Sequence, residues 1–312
     1  MPFLVPFGSY PQGGLISTNP SLGRVLYVSS TYGKSGNSGS DVEPMATIVA
    51  AMAKLANANN SQNRGDTIVC LPGHTEDVPD ATTFVASRPK LTIIGLGYGA
   101  TQATITLSTA TTATLNVTGA NVSFQNIRVV SNIAACAAVF TVAAKDFQFQ
   151  GGQIVEGTGT IVTFVITSAA TSNLVDGLSI TGSYLVADAA ANGLGISITG
   201  TNDRVNISNN LIRMQINSSL SLIDCASGKN LTNCKIQNND LIRLFTATTP
   251  GAISLAGSGN TGMVSLNRIK CAVAAIANIV SVIDATGCGL INNYATGEDD
   301  KSGILVPAAD AT

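Results

Sequence analysis

The feature that most constrains the fold is a repeat of about 28 residues. Segments such as "LGISITGTNDRVNISNNLIR" (194–213) and "GAISLAGSGNTGMVSLNRIK" (251–270) share one design. Each contains an alternating strand, a short loop rich in Gly, Asn or Asp, a second alternating strand, an Asn or Gly, and a third short strand. A unit of this size cannot bury a core alone, so the copies must stack on one another.

An Asn or Gly before the third strand marks each repeat. The markers are Asn126, Gly151, Gly177, Asn210, Asn239, Asn267 and Asn293, at intervals of 25, 26, 33, 29, 28 and 26 residues. Both residue types tolerate the left-handed backbone of a sharp bend, and stacked Asn side chains can hydrogen-bond from repeat to repeat. These positions therefore predict a structural ladder.

Apolar residues recur at period two within the repeats and predict one continuous core. The LxxLxL signature of leucine-rich repeats is absent, and the period exceeds that of hexapeptide β-helices. The sequence therefore predicts an all-β fold, a right-handed single-stranded parallel β-helix of about eight coils with an N-terminal capping α-helix.

Four segments divide the chain. Residues 1–22, with four prolines, predict an extended arm. Residues 23–66 predict a capping strand and helix, because apolar residues recur at helical spacing from Met45 to Leu55. Residues 67–297 predict the parallel β-helix, and residues 298–312 predict a loose C-terminal tail.

Composition disfavours several classes of function. The chain carries 16 basic and 18 acidic residues, so it has no basic surplus for nucleic acid. Its longest apolar run is too short to span a bilayer, and its first residues lack the basic region of a signal peptide. The six cysteines show no CxxC spacing; their even number allows disulfides, but most lie in apolar strand patterns and are predicted to be free buried thiols. We expect no metal, cofactor, nucleic acid or membrane partner.

The N-terminal third resembles a known superfamily. "RVLYVSSTYGKSGNSGSDVEPMATI", a helix, "GDTIVCLPGHTEDV" and "KLTIIGLGYG" follow one another in that order. This order resembles the opening of the pectate-lyase-like right-handed parallel β-helix superfamily, and more closely that of virion structural β-helix proteins of tailed phages. The resemblance covers residues 24–130, and the later coils match in pattern only.

The resemblance implies a structural phage virion protein. We expect a capsid decoration or cement protein, assembled in the host cytoplasm and located on the capsid surface. Its expected partners are itself, as a homotrimer, and the major capsid protein or other virion subunits. The alternative is a tail-spike or fibre protein that binds or degrades host surface polysaccharide. A polysaccharide-active enzyme outside any virion is a third possibility.

His74, the only histidine, lies four residues after Cys70. Cys70 sits in an alternating strand and is predicted to point into the core, out of reach of a nucleophilic pairing. His74 is therefore predicted to be a turn residue that packs locally. Glu76 and Asp77 are predicted to be solvated turn carboxylates, and no catalytic residue is assigned.

Two carboxylates remain as candidates for an enzyme. Asp224 in "LIDCASG" and Asp284 in "VIDATGC" hold equivalent positions two coils apart, with Ala256 expected between them. Two coils correspond to ~10 Å, which is marginal for glycoside hydrolysis, where the two carboxyl groups are ~5 Å or ~6.5–9.5 Å apart.

A row of basic residues follows the third strands. These residues are Arg128, Arg213, Arg243 and Lys270, and the last three, on successive coils, are predicted to stack ~5 Å apart. One interpretation is a solvated edge that prevents side-by-side aggregation. The other is a contact surface for acidic residues of a partner.

Overall fold

The structure is a computed structural model and describes residues 23–56, 65–167, 173–191, 195–216, 221–244, 251–271, 282–296 and 302–305. Most regular structure in these ranges is β-strand, wound into a parallel solenoid of the right-handed type with about seven turns. Three long sheets run along the solenoid, and the chain passes from sheet to sheet as it winds.

Sheet A contains β1 (Val25–Val28), β2 (Thr67–Cys70), β5 (Thr92–Gly95), β8 (Ser123–Gln125), β11 (Gln148–Gln150), β14 (Ser179–Thr181), β18 (Asn206–Ser208), β22 (Cys234–Gln237), β25 (Gly262–Ser265) and β28 (Gly289–Ile291). Sheet B contains β3 (Thr75–Val78), β6 (Thr104–Leu107), β9 (Arg128–Ser131), β12 (Gln153–Glu156), β15 (Tyr184–Ala191), β19 (Leu211–Ile216), β23 (Asp240–Arg243), β26 (Arg268–Cys271), β29 (Asn293–Thr296) and β30 (Ser302–Leu305).

Sheet C contains β4 (Val85–Ala86), β7 (Leu115–Val117), β10 (Phe140–Val142), β13 (Val165–Thr167), β16 (Ile196–Ile198), β20 (Ile223–Cys225), β24 (Ile253–Leu255) and β27 (Ile283–Asp284). A small fourth sheet pairs β17 (Asn202–Asp203) with β21 (Leu231–Thr232). The one α-helix in the described ranges is α1 (Ile48–Ala56), and a short 3-10 helix covers Gly99–Thr101.

Side chains form columns because neighbouring strands pair in parallel with little register shift. Inward columns of Val, Ile, Leu and Phe fill the interior, as the period-two pattern predicts. Five phenylalanines meet in the N-terminal half of the solenoid, with ring centroids 5.2 to 6.2 Å apart: Phe84, Phe124, Phe140, Phe147 and Phe149. Large aromatic side chains bury much apolar area each, so this cluster anchors the core.

Helix α1 forms within the segment where the sequence predicts a helix. Its residues Ile48, Ala51 and Leu55 are fully buried, consistent with the predicted apolar stripe. Strand β1 pairs directly with β2, so the segment that holds β1 and α1 is continuous with sheet A. Its strand is thus part of the solenoid itself.

Charged side chains of the solenoid hold both ends of α1. At its C-terminal end, the carbonyl of Leu55 accepts hydrogen bonds from the Arg24 guanidinium at 3.1 Å and the Arg88 guanidinium at 2.9 Å. At its N-terminal end, the Glu76 carboxylate accepts two backbone N–H groups. Negative charge at the N-terminus and positive charge at the C-terminus both complement the helix dipole.

The tail differs from its prediction. Residues 302–305 form β30, which pairs antiparallel with β29. The prediction of a loose segment over 298–312 is therefore wrong for residues 302–305. The arm at 1–22 lies outside the described residues. The number of eight coils also stays a prediction, because connecting residues such as 272–281 lie outside them too.

Candidate functional site

Four of the predicted ladder residues form one buried column. The Asn210 side-chain amide donates to Oδ1 of Asn239 at 3.0 Å, Asn239 donates to Asn267 at 2.9 Å, and Asn267 donates to Asn293 at 3.0 Å. Each Oδ1 also accepts the backbone N–H of the preceding member, and the Asn210 Oδ1 accepts the N–H of Ser183. All four are at most 3% exposed, so the ladder is internal.

The other three predicted markers lie elsewhere. Asn126 and Gly151 occupy the bend directly after β8 and β11, with φ of 52° and 59°, one residue before the ladder position. Gly177 is wrong as a ladder member, because it lies at a different corner, two residues before β14. Asn and Gly are common at each corner of a coil where φ is positive. A ladder position chosen by residue type alone therefore selects residues from more than one corner.

The histidine of the first coil is buried with a carboxylate. His74 is 1% exposed, and its Nε2 lies 3.4 Å from Oε2 of Glu76. Glu76 accepts the N–H of Ile48 at 2.6 Å and the N–H of Val49 at 3.0 Å. The prediction of a solvated Glu76 is wrong, because the carboxylate satisfies the first orphan N–H groups of α1. Its neighbour Asp77 is exposed.

Cys70 points inward and is fully buried. Burial, and secondarily the Glu76 carboxylate, raise the pKa of the Cys70 thiol well above its ordinary value. A nucleophilic cysteine needs the opposite shift. Among Cys70, His74 and Glu76, Glu76 is the residue that holds α1.

The predicted basic edge is broken up by the register. Arg213 aligns with Ile242, which in turn aligns with Lys270, so two strand steps separate the two cations. Arg128 occupies a different column, at the first position of β9. Arg243 points inward and is 1% exposed, so the prediction that it lies on the edge is wrong.

The error at Arg243 has a simple cause. "NNLIR" places Arg213 three residues after the ladder residue Asn210, whereas "NNDLIR" places Arg243 four residues after Asn239. A shift of one residue moves a strand side chain to the opposite face of the sheet. The two arginines therefore face opposite sides of sheet B.

Acidic partners neutralise two cations on the outside of sheet B. Arg213 forms a two-pronged pair with Asp188, whose Oδ1 accepts from Arg213 Nε at 2.8 Å. Arg268 Nε lies 3.2 Å from Oδ1 of Asp240. This surface thus carries internal ion pairs, and a column of unpaired like charges is not formed there.

The outside of sheet B also carries aliphatic and aromatic residues among these charges. One outward column holds Val130, Val155, Val186, Arg213, Ile242 and Lys270 on consecutive strands. The adjacent column holds Arg128, Gln153, Tyr184, Leu211, Asp240, Arg268 and Tyr294, of which Tyr184 is 43% and Tyr294 39% exposed. We call these two columns the sheet B face.

The sequence does carry a signal for the sheet B face. "QIVE", "YLVA" and "DLIR" each place two aliphatic residues side by side within a strand. Adjacent aliphatic residues indicate a strand that is covered on both faces, whereas a half-exposed strand alternates. A depression of about 230 Å³ lies at the C-terminal end of this face, beside Ile242, Lys270 and Tyr294.

The two candidate carboxylates share one outward column of sheet C. Asp224 aligns with Ser254, which aligns with Asp284, so the intervening residue is Ser254 and the expected Ala256 is wrong. Two strand steps place them ~10 Å apart. Burial raises the pKa of Asp224, which favours its protonated form.

The outside of sheet A is polar and uncharged over its central strands, unlike the outside of sheet B. Its central strands present only uncharged polar side chains: Ser123, Gln125, Gln148, Gln150, Ser179, Thr181, Asn206 and Ser208. They hydrogen-bond to one another, for example Gln150 Nε2 to Gln148 Oε1 at 2.8 Å. We call this surface the sheet A face.

The described ranges show neither a metal-binding cluster nor a membrane-spanning helix. They contain no group of three or more His, Cys, Asp or Glu side chains arranged to hold a metal ion. Within the same ranges, α1 and the other helical residues are too short or too polar to cross a membrane.

Comparisons with known proteins give one structural similarity. No family model matches the chain, and no curated protein matches it. Among solved structures, a rhamnogalacturonan lyase is similar over 91% of this chain and 90% of its own, with 11% sequence identity and a TM-score of 0.46. At this level the similarity assigns neither a family nor an activity to the chain.

Proposed function

We propose that the chain is a structural subunit of a phage particle, a decoration or cement protein on the capsid surface. It acts through protein–protein contacts, with copies of itself as a homotrimer and with the major capsid protein or other virion subunits. The sequence resemblance of residues 24–130 to virion β-helix proteins supports the proposal that the chain belongs to a phage particle. The arm at 1–22 is the proposed anchor to the shell. In this proposal α1 closes the N-terminal end of a solenoid of eight coils.

The sheet B face is the observation that carries this proposal. Monomeric proteins rarely expose a contiguous apolar surface, and a parallel sheet is normally covered on both sides. The aliphatic residues Val155, Val186 and Ile242 lie on nearby strands of this surface, beside charged residues that pair within it, such as Arg268 with Asp240. Such a surface fits the same surface of a second and third copy.

Substitutions on two faces test the assembly. The double variant Val155→Glu and Ile242→Glu places two carboxylates on the sheet B face, and we expect it to sediment as a monomer. The matched control Gln150→Glu and Thr181→Glu changes the sheet A face equally and should keep the trimer. Sedimentation velocity with circular dichroism separates loss of assembly from loss of folding. A folded double variant that remains trimeric contradicts the proposal.

The position on the particle is tested by counting copies. Quantitative mass spectrometry of full particles and of tailless heads should find hundreds of copies, retained when the tail is removed. A few copies that are lost with the tail would instead support the spike.

The alternative, a spike or fibre protein that binds or degrades host surface polysaccharide, is supported by the sheet A face. Its amide and hydroxyl groups suit the hydroxyl groups of a neutral glycan. Degradation would take place on a separate surface, the outward column of sheet C, where Asp224, with its raised pKa, would be the proton donor and Asp284 the second carboxylate. Release of reducing ends from host polysaccharide, lost in Asp224→Asn, would favour this function over the structural one.

A further inference from the structure

Two cysteines from distant parts of the chain touch in the last turns of the solenoid. Sγ of Cys234 and Sγ of Cys288 are 3.7 Å apart, although 54 residues separate them in sequence. Cys234 opens β22 and is buried, whereas Cys288 immediately precedes β28 and is half-buried. One thiol of the pair is therefore accessible to a small reagent and the other is shielded.

A glycine between them explains the contact. Cys234 aligns with Gly262 of β25, and the next residue of β25 aligns with the first residue of β28. Extended by one residue, this register places Cys288 next to Gly262 in the same column. A Cβ at Gly262 would lie 2.1 Å from the carbonyl oxygen of Cys234. Only glycine fits there, and it leaves the sulfur atoms facing each other.

We propose that Cys234 and Cys288 form a disulfide that joins β22 to the last strand of sheet A. A disulfide has an S–S distance of ~2.05 Å and Cα atoms at most about 7 Å apart, so the sulfur atoms must approach by about 1.7 Å and the backbone at Cys288 must move toward β22. Strand β28 is the terminal strand of sheet A among the described residues. The residue before β28 lies outside the paired strand, so this backbone movement leaves the described pairs of β28 with β25 in place.

The environment of the pair gives each thiol a role. The hydrogen bond between the two thiols lowers the pKa of Cys288, and the same interaction raises the pKa of Cys234. Cys288 is the thiolate that attacks first, because the thiolate is the reactive form. Cys234 is the resolving thiol.

Oxidised glutathione, a small-molecule disulfide, supplies the oxidising equivalent. The Cys288 thiolate attacks one of its sulfur atoms, forms a mixed disulfide, and releases one glutathione thiolate. Cys234 then loses its proton to solvent and attacks Sγ of Cys288, which expels the second glutathione thiolate. Two protein thiols become one disulfide, and one oxidised glutathione becomes two reduced molecules.

Other cysteines provide internal controls. Burial raises the pKa of Cys136 to about 11 and the pKa of Cys225 to about 12, so neither forms much thiolate at pH 8. Both are buried in the interior. We expect them to stay unmodified under the same treatment.

Peptide mapping after oxidation tests the proposal, which does not depend on the proposed function. The full chain is treated with oxidised glutathione at pH 8, alkylated, and digested with trypsin and Asp-N. Cleavage before Asp284 separates Cys271 from Cys288, and cleavage after Lys229 separates Cys225 from Cys234. We expect a cross-linked pair of peptides that contain Cys234 and Cys288, and an intact mass lower by two hydrogen atoms.

Three variants identify the roles. Cys234→Ser should retain a glutathione adduct on Cys288, and Cys288→Ser should leave Cys234 unmodified. Cys136→Ser, a matched loss of a thiol elsewhere, should form the cross-link as the wild type does. A wild-type protein whose Cys288 carries a lasting glutathione adduct, or stays unreacted, overturns the proposal.

Discussion

At the scale of single residues, adjacent asparagines do different work in this fold. Asn238 adopts φ of 54° and is exposed, so it serves the bend. Asn239, the next residue, is 1% exposed and hydrogen-bonds to the coils on both sides. The dipeptide thus combines a turn residue with a buried cross-coil amide. The sequence repeats it at 209–210 and 292–293.

Replacement of Asn239 by Ala should therefore be costly. It leaves the N–H of Asn210 and the carbonyl of Ile207 without their side-chain partner in a buried column. We expect a loss of about 2 to 4 kcal/mol in the free energy of unfolding, measured by urea denaturation. Asn238→Gly, which tolerates the same positive φ but loses the exposed hydrogen bond to Asn209, should cost under about 1 kcal/mol. Equal losses in the two variants would show that the ladder does not stabilise the fold.

At the scale of elements, local sequence patterns predicted the strands and the helix. Contacts between residues far apart in the sequence could not be predicted in this way. Period-two strands and the apolar stripe of α1 are encoded within a few residues. The inward direction of Arg243 depends on one inserted residue, and the role of Glu76 depends on a helix that starts 28 residues earlier. The contact between Cys234 and Cys288 requires the register of three strands. Neither composition nor motif spacing contains that register.

The junction of α1 with β3 gives a prediction at this scale. Glu76→Gln keeps the shape of the side chain but replaces one acceptor oxygen with a donor that faces the N–H of Ile48 or Val49. It also removes the negative charge at the helix N-terminus. We expect a loss of about 1 to 3 kcal/mol in unfolding free energy. Asp77→Asn, on the exposed side of the same strand, should change it by under about 0.5 kcal/mol. A Glu76→Gln protein as stable as the control would contradict this function for Glu76.

At the scale of the whole molecule, a solenoid must protect its ends, because a terminal strand offers unpaired backbone groups to any other strand. Near the N-terminal strands, charged side chains bind both ends of α1, which our proposal makes the cap of that end. At the other end of sheet B, β30 turns back and covers β29 in antiparallel fashion. A reversed strand interrupts the parallel series, so a second solenoid cannot simply continue it.

Deletion of residues 302–312 should therefore expose the edge of β29 and cause end-to-end association. The residues uncovered include Tyr294, which is already 39% exposed and adds apolar surface to the free edge. We expect light scattering to show oligomers larger than the native assembly, growing with protein concentration. Deletion of residues 306–312 alone keeps β30 and is the matched control, which should behave as the full chain does. If both truncated chains scatter alike, β30 does not protect the edge, and the sequence beyond β29 has no part in limiting growth of the solenoid.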